Sequence, residues 1–322
     1  MPINEPSRLW GRKVIVQLDD EVWDGLRVSF AVTKTLKGEP NKATISVYGL
    51  DPDTYQRLQA RGRDLVVSLY AGHEIPGLVF RGNPVKDGVE YRLDSPERVL
   101  LIEAKDGYRA YSRARVKGSF SGEILVKDVV EKAAAQLGLP VSLIDVPGDM
   151  RLTQGLHMRG PAHRILDRLA QSTGSDWSIQ NGTFQFLPKS KVRRNSGPLY
   201  SPDAPLSNLI KRPVKKESGV ELTVMLEPSL IPGDRFEIRD GEIPMFDGVY
   251  KVKAVKHTGD NWDQVFYTEI EAAEVRDPVP APEPQPFVST IFTDQYLDLI
   301  EYGKQSDEFQ RDTIHKFFWN KE

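Results

Sequence analysis

A change of hydrophobic period, from two residues to about 3.6 and back to two, constrains this chain more than any motif. In the first hundred residues apolar side chains recur at alternate positions. Val14, Val16 and Leu18 alternate with Lys13, Ile15 and Gln17, and Leu26, Val28, Phe30 and Val32 alternate with Arg27, Ser29, Ala31 and Thr33. Ile45 and Val47, then Leu65, Val67 and Leu69, then Leu100 and Ile102 continue the pattern, with Gly, Pro and Asp between the runs. Neighbouring side chains of a strand point to opposite faces, so these runs predict half-buried strands. Several short runs separated by turn residues predict a sandwich or small barrel. Asp51-Pro52-Asp53 ahead of Tyr55 and Leu58 predicts a short capped connecting helix.

From about residue 119 the period becomes helical. Leu125, Val129, Val130, Ala133, Ala134 and Leu137 form one stripe, which Gly138 and Pro140 bring to an end. Pro161 suits the first position of a second helix, whose stripe is Ala162, Ile165, Leu166, Leu169 and Ala170 and whose end is Gly174. Trp177 to Phe186 then reads as a hairpin, because Asn181-Gly182 favours the two-residue type I′ turn. Such a turn pairs Gln180 with Thr183, Ile179 with Phe184 and Trp177 with Phe186, which puts four large apolar side chains on one face. That face is expected to pack on the two helices through Leu125, Val129, Ile165 and Leu169. Asn181-Gly182-Thr183 also matches a glycosylation acceptor, but the N-terminus, Met-Pro-Ile-Asn-Glu-Pro, lacks the pattern of a secretory signal, and the turn reading outweighs it.

A polar stretch follows from Lys189 to Ser218, expected to contain a linker, with Lys189, Lys191, Arg193 and Arg194 as a solvated surface cluster. Period two then resumes at Val220, Leu222 and Val224, at Phe236 and Ile238, around Tyr250 and Val252, and from Phe266 to Ile270. Beyond it, Asp277 to Pro286 carries proline at most second positions and is expected to be an extended spacer. In the tail, Phe292, Tyr296, Leu299 and Ile300 share one helical face, and Ser306 can cap a second helix bearing Phe309, Thr313, Phe317 and Phe318. The divisions expected are therefore a first β-domain (1–115), a small α/β insert (116–190), a second β-domain (191–275), a spacer (276–286) and an amphipathic helical tail (287–322). No residue-level repeat links the two β-domains.

The formal net charge is −3, with 43 basic side chains set against 46 acidic ones, so no long-range attraction draws the chain to nucleic acid or to an anionic membrane. Cysteine is absent, which excludes disulfides, thiolate metal sites and a cysteine nucleophile. No stretch approaches the ~20 apolar residues of a membrane span, and folding in a cytoplasm is expected. The histidines His73, His157, His163, His257 and His315 have no metal-binding spacing, and no phosphate loop, nucleophile elbow or dinucleotide fingerprint is present. Asp19-Asp20 and Asp51-Asp53 could serve glycan cleavage only if two acids faced a cleft, and acidic turns explain them better. Trp177, Tyr250 and Trp262 would be the aromatics of a carbohydrate-binding module, although aromatics at strand spacing are usually core. No catalytic residue, cofactor or metal is assigned.

The order of these pieces resembles the phage-type tail baseplate hub family of contractile tails. The resemblance is carried by Leu26 to Thr35 with Pro40-Asn41 and Ile45 to Leu50. Gly122 to Val130 with Leu137-Gly-Leu139, and Ile165 to Ala170 with Gly174 and Trp177, carry it through the insert. Glu221 to Leu226, Pro228, Pro232-Gly-Asp234, Gly248 to Val252 and His257 to Asp260 with Trp262, ending at Thr268, complete it. It covers roughly residues 12 to 275 and rests on order and spacing rather than on any single motif. It implies a mainly β fold with an α+β insert, in which two β-barrel or sandwich-like tube domains flank a small module of two helices and a hairpin. A C-terminal helical tail, outside the resemblance, follows. It implies a structural subunit, not an enzyme, that forms a homotrimeric ring of pseudo-sixfold symmetry between a tail tube, or tube-initiator protein, and a central spike. The virion's tail baseplate, assembled in the host cytoplasm, is the implied location. Because some tail hubs degrade cell wall, a tail-associated wall-degrading enzyme is the alternative. The tail helices either fold back on the second β-domain or anchor a neighbouring baseplate subunit through Phe292, Tyr296, Phe309, Phe317 and Trp319.

Overall fold

The computed structural model describes residues 11–61, 65–73, 75–94, 97–147, 150–152, 156–194, 199–201, 208–217, 219–240 and 243–275. The expected spacer and helical tail, with Phe292, Tyr296, Phe309, Phe317 and Trp319, lie outside them. Among the described residues no helix is long and apolar enough to cross a membrane.

The first half of the chain forms β1 (Arg12–Leu18), β2 (Glu21–Asp24), β3 (Val28–Thr35), β4 (Lys42–Tyr48), α1 (Pro52–Arg61), β5 (Val67–His73), β6 (Gly77–Asp94) and β7 (Glu97–Lys105). The alternating residues do what their period requires: Val14, Val16 and Leu18, then Val28, Phe30 and Val32, then Ile45 and Val47, then Val67 and Leu69, and finally Leu100 and Ile102, all enter one buried cluster. β6 is long enough to serve two layers. Its beginning pairs with β5 and its remainder with β7, so the layer of β2, β1 and β5 and the layer of β7, β4 and β3 share a core.

The insert contains α2 (Tyr108–Arg113), β8 (Arg115–Phe120), β9 (Ile124–Leu125), α3 (Val126–Ala135), β10 (Val141–Ile144), β11 (Arg151–Leu152), β12 (Leu156–Pro161), α4 (Ala162–Ser172), β13 (Ser175–Gln180) and β14 (Thr183–Pro188). The hairpin register matches expectation: Gln180 faces Thr183, Ile179 faces Phe184 and Trp177 faces Phe186. The four apolar side chains are buried with Val129, Leu169 and, at the margin, Ile165. Leu125 is the exception, since it lies in the two-residue strand β9 ahead of the helix rather than on its stripe, held there by pairing with Arg151. Pro161 likewise sits one position earlier than expected, as the extended residue that precedes α4. Its ψ of 133° satisfies the strand β12, and the helix begins at Ala162.

The second half contains β15 (Leu199–Tyr200), β16 (Leu209–Lys216), β17 (Gly219–Met225), β18 (Arg235–Ile238), a 3-10 turn at Pro244–Phe246, β19 (Gly248–Asp260) and β20 (Phe266–Glu274). The polar stretch read as containing a linker thus includes β15 and an eight-residue strand, β16. β16 is polar because it lies at a sheet margin, where only Pro213 of its residues is buried.

One 13-stranded sheet runs β16-β17-β20-β19-β3-β4-β7-β6-β5-β1-β2, with β15 and β18 off this path. The order contains a repeat that the residues do not show. β3-β4-β7-β6-β5 in the first half and β16-β17-β20-β19-β18 in the second are the same five strands in the same order, every neighbour antiparallel. Even the register corresponds: Ile102 lies between Ile45 and Val89 as Ile270 lies between Leu222 and Val255. The repeats join where β3 pairs antiparallel with β19, from Ser29 opposite Asp260 to Thr35 opposite Ala254.

Trp177 is the keystone of the insert. Its indole Nε1 donates to Asp167 Oδ1 at 2.8 Å and its ring lies within 5.9 Å of Phe184. The β3–β4 loop presses on it so closely that a Cβ at Gly38 would lie 2.5 Å from the ring. Trp177→Ala is expected to cost roughly 3–5 kcal/mol of stability, as for other buried large aromatics. An unchanged thermal or urea unfolding curve would contradict this packing.

Candidate functional site

The strand parity that builds the first core also places a charge inside it. Val28, Phe30 and Val32 point inward on β3, and the next inward position is Lys34, which is 0% exposed. A buried ammonium needs partners, because leaving water costs several kcal/mol. Lys34 Nζ donates to Asn181 Oδ1 at 3.0 Å, reaching the tip of the β13–β14 hairpin. Asn181 and Gly182 hold φ of 54° and 80°, the left-handed conformation that the turn requires of both residues.

Asp106, at the end of β7, completes the contact. Its Oδ2 accepts the Asn181 N–H at 2.5 Å and its Oδ1 accepts the Gly182 N–H at 2.7 Å. Asn41 Nδ2 adds bonds to Asp106 Oδ2 (3.4 Å), to the Ile179 carbonyl (2.7 Å) and to Gln180 Oε1 (3.0 Å). Asn41 Oδ1 accepts the Thr35 N–H at 2.9 Å, and Gln180 Nε2 donates to the Thr35 carbonyl at 2.9 Å. The tip of the insert is therefore hydrogen-bonded into the ends of β3, β4 and β7. Burial pushes the Asp106 carboxyl up to about 6, against the pull of the Gly182 N–H and of Lys34. Burial pushes Lys34 down to about 8, against the pull of Asp106 and Asp234. His257, fully buried, is held well below its ordinary range by burial and then by the charge of Lys34, and its Nδ1 meets Thr268 Oγ1 at 2.9 Å.

A second set of bonds ties the insert to the other half. Asp234 is buried and accepts from Arg193 Nε at 2.7 Å, from Arg194 Nε at 3.1 Å and from Arg194 Nη2 at 2.5 Å. Lys251, also buried, donates to the carbonyls of Pro188 and Lys189 at 3.1 Å each. Its pKa is pushed down to about 8 by burial and then by Lys253. Gln185 Nε2 donates to the Pro232 carbonyl at 3.1 Å. The expectation of a solvated basic cluster is corrected here, because Arg193 and Arg194 clasp an interior carboxylate, while Lys191 pairs with Asp145 at 2.8 Å.

These groups orient modules through their hydrogen bonds, while Gln185 Oε1 and His257 Nε2 are buried without a partner among the described residues. Asp19 closes the turn between β1 and β2 with φ 53°, and its Oδ1 accepts the Val66 N–H at 2.7 Å. His157 contacts Ser119 Oγ at 2.9 Å on the β8–β12 ladder, whereas His163 stacks on Tyr111 at 4.4 Å, so the fold uses them separately. Among the described residues no three His, Asp or Glu side chains are placed to hold a metal ion. The carbohydrate-platform reading loses two of its three aromatics, since Trp177 and Tyr250 are core and only Trp262 is exposed, at 71%. Lys34, Asp106 and Asp234 had no assigned role in the sequence; the signal for Lys34 was its inward parity on β3, and for Asp106 the need of a type I′ turn to satisfy two adjacent N–H groups.

Asp106→Ala would leave both turn N–H groups without their shared acceptor and would remove the carboxylate whose charge favours the Lys34 ammonium. A loss of about 3–5 kcal/mol is expected from urea denaturation, as when one member of a buried charged cluster is removed. A loss below about 1 kcal/mol, within the ordinary range of surface substitutions and mild core changes, would overturn the anchoring role.

No protein-family model and no curated protein sequence matches the chain. Solved structures do. The 43 kDa tail protein of prophage MuSo2 from Shewanella oneidensis is 12% identical with a TM-score of 0.60, covering 82% of this chain and 97% of its own. A tail protein from Neisseria meningitidis MC58 is 11% identical with a TM-score of 0.59, at 82% and 97% coverage. A component of the type VI secretion system of E. coli, described as structurally similar to the T4 bacteriophage tail proteins gp27 and gp5, is 13% identical with a TM-score of 0.55, covering 84% of this chain and 80% of its own. The chain has the fold of these tail proteins.

Proposed function

We propose that this chain is a structural, non-catalytic baseplate hub subunit of a phage or phage-like tail, forming a homotrimeric ring that adapts a sixfold tail tube to a threefold spike. The observation that carries the reading is the duplicated five-strand order. A chain with two equivalent β-units presents six of them when three copies assemble, which reconciles a sixfold neighbour on one side with a threefold neighbour on the other. The likeness in fold to tail proteins supports the same setting. On this reading the buried bonds around Asp106 and Asp234 hold the insert in a fixed orientation between the two β-units. Partners are the central spike, the tail tube or its initiator, and other baseplate subunits; the site of action is the tail baseplate of the virion, after assembly in the host cytoplasm.

Light scattering on the purified chain, alone and mixed with the candidate spike and tube proteins, is expected to give the mass of a trimer, at least with the spike present. A monomer at high concentration with both partners would overturn the reading. The tail beyond the spacer is proposed to anchor a neighbouring baseplate subunit through Phe292, Tyr296, Phe309, Phe317 and Trp319, since aromatics on short amphipathic helices are typical interface anchors. Deleting residues 287–322 is expected to leave a soluble, folded hub that fails to recruit one neighbour in pull-down assays. Unfolding of the deletion variant, or retention of every pairwise interaction, would reject the anchor.

A further inference from the structure

The bond from Lys34 to Asn181 joins two groups that can react with one another. A lysine amine is a nucleophile once it has lost its proton, and a side-chain amide is an acyl donor whose leaving group is ammonia. Lys34 Nζ lies 3.0 Å from Asn181 Oδ1. A C=O bond measures about 1.23 Å, so Asn181 Cγ is no more than about 4.2 Å from that nitrogen. Reacting atoms about 3–3.5 Å apart are in near-attack range, and a small rotation of the Asn181 amide covers the difference.

The fold holds both partners in place. Lys34 is fully buried on β3, opposite Val255 of the β19 ladder. Asn181 is fixed in the left-handed conformation of its turn, with its main-chain N–H bonded to Asp106 and its side-chain carbonyl bonded to Lys34. The burial that holds Lys34 also prepares it. With its pKa pushed down to about 8, about a tenth of Lys34 is neutral at pH 7, on the order of a hundredfold more than for an ordinary lysine. Asp106 and Asp234 favour its ammonium and Arg193 opposes it, while His257 is kept neutral by burial and by the Lys34 charge. Asn181 is only half-buried at the hairpin tip, so ammonia released there has a way out.

The exchange of amines also needs a proton carrier, and Asp106 is placed for it. Its charge is the largest that acts on Lys34, and its Oδ2 accepts the N–H of Asn181 itself. Burial raises its carboxyl to about 6, so it takes up and gives back a proton close to neutral pH.

We propose that Lys34 and Asn181 join in an intramolecular isopeptide bond. The electron pair of neutral Lys34 Nζ forms a bond to Asn181 Cγ, and the bond from Cγ to Nδ2 breaks. One proton of Nζ passes through Asp106 to the departing nitrogen, which leaves as ammonia. An amide replaces an amide, so no oxidant, reductant or cofactor enters the balance. The bond links positions 147 residues apart and fastens the tip of the insert to β3 covalently. The chain has no cysteine, so a disulfide cannot supply such a link. The Gly182 nitrogen is a competing nucleophile for the same carbon, but its N–H is engaged by Asp106 Oδ1 at 2.7 Å.

Intact-mass spectrometry of the full-length chain, purified and incubated at neutral pH, tests the bond. A mass lower than that of the sequence by one ammonia is expected, with a branched peptide joining residues 34 and 181 after proteolysis. Lys34→Met, and Asn181→Gly, which suits the left-handed turn, are each expected to keep the full mass. A wild-type chain of full mass would overturn the proposal. So would loss of ammonia with residues 34 and 181 on separate peptides, or loss that persists in Lys34→Met, since either marks attack by Gly182 instead. Asp106→Asn keeps an acceptor for the turn but no carboxylate, and is expected to form the bond at least tenfold more slowly at an unchanged melting temperature. Asp106→Glu is expected to recover part of that rate, and rates that fall alike in the two variants would reject the proton route through Asp106.

Discussion

The carboxylate of Asp106 is the point on which the arrangement of the molecule turns. It is buried, and burial alone would favour its neutral form. Two backbone N–H groups of a type I′ turn, the Asn41 amide and the nearby Lys34 charge all act the other way. In a medium of low dielectric such bonds are strong and directional, and leaving any of them unmade is costly. Apolar packing fixes which faces are covered, but it tolerates small slides and rotations. A cluster of short bonds to two successive amides does not, so the insert has one orientation on the ends of β3, β4 and β7.

The same logic operates on the other side of the insert, where Asp234 gathers Arg193 and Arg194 and Lys251 caps the carbonyls at the end of β14. The three apolar clusters among the described residues would otherwise be three separate cores. Between the first and third, the β3–β19 ladder supplies continuity through backbone hydrogen bonds. Between either of them and the second, continuity comes largely from buried polar groups.

Much of the fold was legible in the residues. Period two set the inward faces of β1, β3, β4, β5 and β7, and Asn181-Gly182 set the hairpin register to the residue. The ends of elements were less legible: Leu125 and Pro161 both fall to neighbouring short strands, whose pairing with distant residues overrides local helix preference. β16 was hidden because only Pro213 of its residues is buried, so neither of its faces asks for alternating apolar side chains. The duplication was hidden for a related reason. Inward positions ask only for apolar volume, so Ile45 and Leu222, or Val89 and Val255, can hold the same place with no further likeness between the halves.

The sequence by itself determined which residues face inward, where the helical insert lies and how its hairpin pairs, because these follow from periods and turns that act over a few residues. Tertiary structure alone decided that Lys34, Asp106 and Asn181 meet, that Arg193 and Arg194 turn inward to Asp234, and that β3 closes on β19 across more than two hundred residues of chain. Those contacts depend on charge neutralisation and backbone pairing between segments far apart in sequence, and a polar residue gives no local sign of whether its partner will be water or another part of the fold.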